Sequence, residues 1–298
     1  MRSKAIFFLS FFIALIAGSQ AWAAACCGGG VSLPALIQGD ERAQFAAQIL
    51  RQDLLVDYVD PNGYWKNTGV PTSVSTLRVE GAWLLSDRAQ MGVVVPVISR
   101  TRLNERHAGL GDVAGSLGYE FLPDWDYNPY RPKGVAYLQV VLPTGLGRAE
   151  SERGGLDSRG HGFWALGTGA VLTKSWGAWD ALLAGEVHHG FEKTSGVRRL
   201  VPGWGGQLQT GAGFNTRQFR YGALATWTHE DPVRLESTGL SLPGGRERYA
   251  TANLSVSYLP STDWGFTLSY VNQTWLGLPE NTSLASGVGL HMQRRWAR

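Results

Sequence analysis

The chain has 298 residues, 27 basic against 24 acidic, a net charge of +3 and only 17% charged residues. That balance excludes the basic excess a nucleic-acid partner would require, and two adjacent cysteines cannot make a disulfide framework. With 39 Gly, 12 Trp, 10 Tyr and 11 Phe, the composition disfavours helices and favours strands joined by tight turns.

Arg2 and Lys4 precede an uncharged apolar run, Ala5 to Gly18, and Ala21-Trp22-Ala23 then supplies small residues for cleavage before Ala24. This is the layout of a secretory signal peptide over residues 1–23. The run, about 14 residues, falls short of the roughly 20 that a helical anchor needs. Residues 24–43 follow as an irregular segment containing Cys26-Cys27-Gly28-Gly29-Gly30. Two thiols beside flexible glycines suit a soft metal such as Cu(I), although two ligands are an incomplete zinc site. A vicinal disulfide and a lipid anchor on Cys26 remain alternative readings. No other cofactor is expected.

From residue 44 to the C-terminus, stretches of apolar and polar alternation are separated by turn-rich sequence. The clearest is Arg248 to Leu259, where Ala252, Leu254, Val256 and Tyr258 alternate with Thr251, Asn253, Ser255 and Ser257. Period two places these sets on opposite faces of a strand. Similar patterns occur in 43–57, 77–83, 89–100, 116–121, 138–142, 164–172, 183–189, 207–214, 221–228, 266–273 and 288–292. The apolar face is matched by one rich in Ser, Thr, Gln and Gly, where a soluble sheet would carry more Lys and Glu.

The predicted fold is therefore all-β: an antiparallel transmembrane β-barrel over residues 44–298, of about 12 strands, an even number as bacterial barrels require. After Leu54 the longest uncharged apolar stretch is Met91 to Ile98, so a membrane-embedded chain crosses as strands. Short turns are expected at 86–88, 175–180, 215–218 and 260–263. Longer connections are expected at 59–71, 101–112, 148–162, 194–205 and 230–247, with 123–134 long where a short turn is due. This asymmetry and the even count put both termini on the periplasmic side. Trp83, Trp125, Trp164, Trp176, Trp179, Trp204, Trp227, Trp264, Trp275 and Trp296 mostly lie at or near strand ends, as in interfacial aromatic girdles.

On this alternation Arg78, Glu80, Glu120, Gln139, Glu186, His188, Gln207 and Gln209 point inward as candidate pore-lining residues. They could tune solute preference, or they could pair with one another and fill the lumen. His188 and His189 are adjacent in a strand and face opposite sides, so with Glu186 they make a poor metal site. They read instead as a strand end near the membrane surface. No Gly-x-Ser-x-Gly elbow accompanies the six histidines, and Gly-Leu-Gly-Asp lacks the Gly-Lys-Ser/Thr of a phosphate loop. An enzyme, such as an outer-membrane hydrolase, is not expected.

Three stretches carry a family resemblance. Cys26 to Gly30, with Pro34-Ala35-Leu36-Ile37 and Gly39-Asp40, looks like the mature start of a group of proteobacterial exported barrels. Val94-Val95-Pro96-Val97, Gly109-Leu110-Gly111-Asp112-Val113 and Leu142-Pro143-Thr144-Gly145 resemble the transporter-like outer-membrane family labelled for the meta-pathway of phenol degradation. Gly287 to Trp296 resembles the C-terminal signal read by the barrel-assembly machinery, with Ala297 and Arg298 following the aromatic. The resemblance implies an outer-membrane channel, reached after Sec-type export, for small compounds, hydrophobic or aromatic ones among them. Its partners would be outer-membrane lipid, the barrel-assembly machinery and the solute. The alternative is a non-transporting barrel whose external loops carry a structural or surface-interaction role.

Overall fold

The computed structural model describes residues 33–125, 128–195, 198–237 and 240–298. Residues 1–32, with the expected signal peptide and Cys26-Cys27, lie outside that set. Twelve antiparallel strands form the wall: β1 (Glu41–Val56), β2 (Thr72–Leu84), β3 (Ala89–Arg102), β4 (Val113–Leu122), β5 (Lys133–Leu142), β6 (Ala165–Trp176), β7 (Trp179–Gly190), β8 (Trp204–Asn215), β9 (Phe219–Glu230), β10 (Glu247–Tyr258), β11 (Trp264–Asn272) and β12 (Leu284–Ala297). Each pairs with the next, and β1 pairs with both β2 and β12. The sheet is thus closed, which leaves no open edge to be satisfied by solvent. Among the described residues no helix is long and apolar enough to cross a membrane, and the single helical turn is the 3-10 segment Arg148–Glu150.

The strand periodicity read from the sequence is the periodicity of the wall. Ile49, Leu77, Leu117, Leu138, Leu166, Leu183, Leu208, Leu254, Leu268 and Leu290 are exposed on the outer face. A belt of this extent greatly exceeds the apolar patch a soluble monomer tolerates. Aromatic rings mark both rims. At one end Trp179 packs on Phe214 and Phe219 on Tyr258, with centroids 4.9 and 5.3 Å apart. Arg294 sits over Trp264 and Trp296 at 5.2 Å from each ring. At the other end His189 packs on Trp204 at 4.8 Å, and Trp164 and Trp275 are exposed.

The connections alternate as expected. Those at 85–88, 177–178, 216–218 and 259–263 are short, and both ends of the wall, Glu41 and Ala297, are paired at the same rim. The connection at 123–132 is the long exception on that side. At the opposite rim, 103–112 is less a loop than a hairpin: Glu105–Leu110 pairs back on Val97–Arg102 and prolongs the wall beyond β4. Alternation did not announce the long connection 273–283. Four short strands in the connections (Lys193–Ser195, Arg198–Val201, Arg234–Ser237, Leu240–Pro243) form a separate sheet outside the barrel.

β1 starts at Glu41, two residues ahead of the expected 43, because Glu41 still finds a register partner in Ala297. Residues 33–40, expected only to be irregular, lie against the inner wall. Gln90 clamps Ile37 on both sides, accepting from its N–H at 2.6 Å and donating to its carbonyl at 3.2 Å. Gln44 donates to the Leu36 carbonyl and Arg78 to that of Leu33. Ala35 and Ile37 pack on Ala82, Val94, Ala114, Val141 and Ala165. Leu36 packs on Val135, Tyr137, Val171 and Ala184. These contacts make a dry, packed layer between residues 33–37 and the inner faces of β2 to β7.

Candidate functional site

The remaining sector of the lumen holds two chambers. The first, about 940 Å3 and on the short-turn side, is bordered by Arg78, Glu80, Asp180, Arg220, His291 and Arg295 among others. The second, about 630 Å3 and on the long-connection side, is bordered by Arg100, Arg102, Arg148, Gln207, Glu247 and Tyr249 among others. Gln209 borders both.

The arginines of the first chamber are paired with carboxylates along its wall. Arg78 meets Glu80 at 2.7 Å, Arg220 meets Asp180 at 2.6 Å, and Arg295 meets Glu41 at 3.7 Å. Arginine suits these positions because its fork can serve a carboxylate and a second acceptor together, as Arg78 does with Glu80 and the Leu33 carbonyl.

The eight residues proposed from alternation fall into three groups. Arg78, Glu80, Gln207 and Gln209 border the two chambers. Glu120 borders a smaller cavity of about 270 Å3 beside Lys133, which lies 3.5 Å away and also donates to the Gly39 carbonyl. Gln139, Glu186 and His188 are packed into the wall, with at most 7% of any of them exposed. His188 sits between two carboxylates, Nδ1 at 3.3 Å from Glu186 and Nε2 at 3.1 Å from Glu230. Tyr137 donates to Glu186 at 3.0 Å. His189 faces outward, so the two histidines do part as a strand requires, but only His189 fits the expected surface position.

Glu230 was missed from the sequence because it stands two strands away. His188, Gly205 and Glu230 form one row across β7, β8 and β9. A Cβ on Gly205 would fall 2.2 Å from His188 Nε2 and 2.1 Å from Glu230 Oε2. The absent side chain is what lets the outer two members meet.

The family-like motifs also come together. Asp112, at the break between the 105–110 hairpin and β4, accepts from the N–H groups of Gly145 at 2.9 Å and His161 at 2.6 Å. Thr144 donates to the Gly111 carbonyl and accepts from the Val113 N–H. Gly-Leu-Gly-Asp-Val and Leu-Pro-Thr-Gly are thus two halves of an anchor for the connection 143–164. That connection folds over the second chamber, bordering it with Arg148 and Gly154 to Leu156. Within it the Ser151 hydroxyl donates to Asp157 and holds that carboxyl below its usual range.

No family model matches the sequence, and no curated protein does. The structure is similar to that of an outer membrane channel from Pseudomonas putida F1, with a TM-score of 0.66 at 15% identity, covering 89% of this chain and 98% of that one. The β domain of the Bordetella autotransporter BrkA has a TM-score of 0.47 and 13% identity, covering 86% and 100%. A TodX monoaromatic hydrocarbon channel mutant is at 0.42 and 11%, covering 88% and 92%. The fold is that of an outer-membrane β-barrel.

Two substitutions probe how this barrel is filled. Asp112→Ala removes two hydrogen bonds to a charged acceptor, worth about 1.5–3 kcal/mol each. Tryptic cleavage at Arg148, Arg153 or Arg159 is expected to accelerate at least tenfold, with the barrel itself intact on a heat-modifiability gel. Unchanged cleavage would remove the anchoring role. Gly92→Val places a Cβ 2.1 Å from the Ala35 carbonyl, closer than any packing allows. The expected result is displacement of residues 33–37 from the wall, read as a severalfold rise in ion conductance. Unaltered conductance would mean the segment does not limit flow.

Proposed function

We propose that this protein is an outer-membrane channel for the passive movement of small molecules, exported with loss of residues 1–23 and oriented with its short turns and termini in the periplasm. One observation carries the reading: two chambers in the lumen, one toward each rim, with Gln209 bordering both. Interior side chains that filled the barrel completely would give a structural plug instead. The apolar belt supports contact with membrane lipid, and β12, bounded by Trp296, supports recognition by the barrel-assembly machinery. Arg78, Glu80, Gln207 and Gln209 are the pore-lining residues on this reading. Glu120, Gln139, Glu186 and His188 serve the wall.

Planar-bilayer recording and liposome swelling with the purified protein test it. Discrete conductance steps and swelling with sugars or small aromatics are expected. Absence of both at every voltage would overturn it. A second reading, surface interaction, is favoured by the external four-stranded sheet, where Leu240 and Leu242 are 69% and 61% exposed. Trimming that sheet without loss of conductance, but with loss of binding to cells or surfaces, would support that role.

A further inference from the structure

The two chambers treat their arginines differently. In the short-turn chamber Arg78, Arg220 and Arg295 each have a carboxylate within ion-pair distance. In the other chamber Arg100 and Arg102 have none among the described residues. They stand two apart on β3 and so share the inward face, roughly 6–7 Å apart along the strand. Arg100 Nε is buried with no hydrogen-bond partner among the described residues. A guanidinium nitrogen left unsatisfied in a buried position is costly, while the half-buried Arg100 and exposed Arg102 keep the rest of their donors open to the chamber.

The carboxylates that border the chamber are engaged elsewhere. Asp57 accepts from the Thr68 N–H at 2.6 Å and the Thr68 hydroxyl at 2.7 Å. Glu247 accepts from the Thr282 hydroxyl at 2.7 Å. The register neighbours of Arg100 and Arg102 on the hairpin are His107 and Glu105, and neither forms an ion pair with them. Arg148 from the overlying connection borders the same space. The rest of the lining includes Leu50, Leu54, Val74, Leu156 and Val271. About 630 Å3 is within the range of small-molecule sites.

We propose that this chamber is a binding site for a small organic acid with an apolar body, such as an aromatic or medium-chain carboxylate, whose anionic head pairs with Arg100 and Arg102 while its body lies on the leucine and valine side chains. A planar carboxylate matches the guanidinium fork in two hydrogen bonds, and the apolar lining accepts the hydrocarbon body behind it. The proposal deepens the channel reading, on which it rests for the idea that such an acid passes on through the barrel. The site itself can be tested separately.

The probe is 3-phenylpropionate, compared with its neutral amide, titrated calorimetrically into the full mature protein in lipid nanodiscs. Saturable binding of the acid is expected, at least tenfold tighter than the amide. The Arg100→Gln, Arg102→Gln double variant, checked for folding by heat-modifiable mobility, is expected to lose at least tenfold for the acid and little for the amide. Equal binding of acid and amide by the unaltered protein overturns the site, and this comparison holds even where the variant fails to fold. So does a folded double variant with undiminished acid binding. Bilayer conductance on the same preparation separates the two claims. A conducting protein indifferent to the acid loses the site and keeps the channel. A non-conducting protein that selects the acid keeps the site and loses the channel.

Discussion

Replacing His188 by leucine is expected to destabilise the barrel by about 3–5 kcal/mol, the range for removing one partner of a buried charged cluster. The imidazole is 7% exposed and bridges Glu186 and Glu230 from its two nitrogens. Leucine of similar volume leaves both carboxylates facing an apolar side chain with no donor between them, and Glu186 keeps only Tyr137 and a long contact from Gln207 at 3.5 Å. Urea unfolding of the protein in lipid vesicles measures the loss. Adding Glu230→Gln to His188→Leu is expected to recover part of it, because one of the two stranded charges is removed. A single-variant change under about 1 kcal/mol would mean that the cluster contributes nothing to stability.

Leu290→Arg is expected to cost about 2–4 kcal/mol, the cost of a cation on the lipid face near the membrane midplane. Leu290 is 63% exposed at the middle of β12, flanked in register by Ile49 and Leu268, both also exposed. On a surface facing water the same change would be worth within about 0.5 kcal/mol. The experiment therefore reads the medium outside the wall directly. Unfolding from vesicles with an unchanged midpoint would show that the belt does not meet lipid.

How much of this was legible in the sequence varies by element. In β10, polar and apolar residues alternate without a break, and the strand runs from Glu247 to Tyr258, one residue from the predicted segment. In β3 and β5 the alternation is blurred: Met91 to Ile98 is apolar throughout, and Val135, Tyr137 and Val141 point inward beside outward Leu138 and Val140. The physical reason is the segment at 33–37, whose apolar side chains give those strands an inner partner as dry as the outer one. Continuous apolar runs in a barrel otherwise polar inside were the available signal that something packs within. The eight inward residues from Arg78 to Gln209 were legible as a face, but not as a site. Arg100 and Arg102 lie on the same inward face and escaped notice, because alternation says nothing about which charges find a partner.

The sequence by itself determined the class of object: strands rather than helices, an apolar outer face, an even strand number, and short connections on one side and long ones on the other. These come from period two and turn chemistry, which are local. Tertiary structure alone decided what meets across the lumen. Closure of β1 on β12 and the stagger of each strand set Glu230 beside His188 across Gly205, brought Asp112 to the connection 143–164, and left Arg100 and Arg102 without a counter-charge among the described residues. A two-residue period specifies the face a side chain occupies, whereas its neighbours across the barrel depend on register and closure, which no single strand encodes.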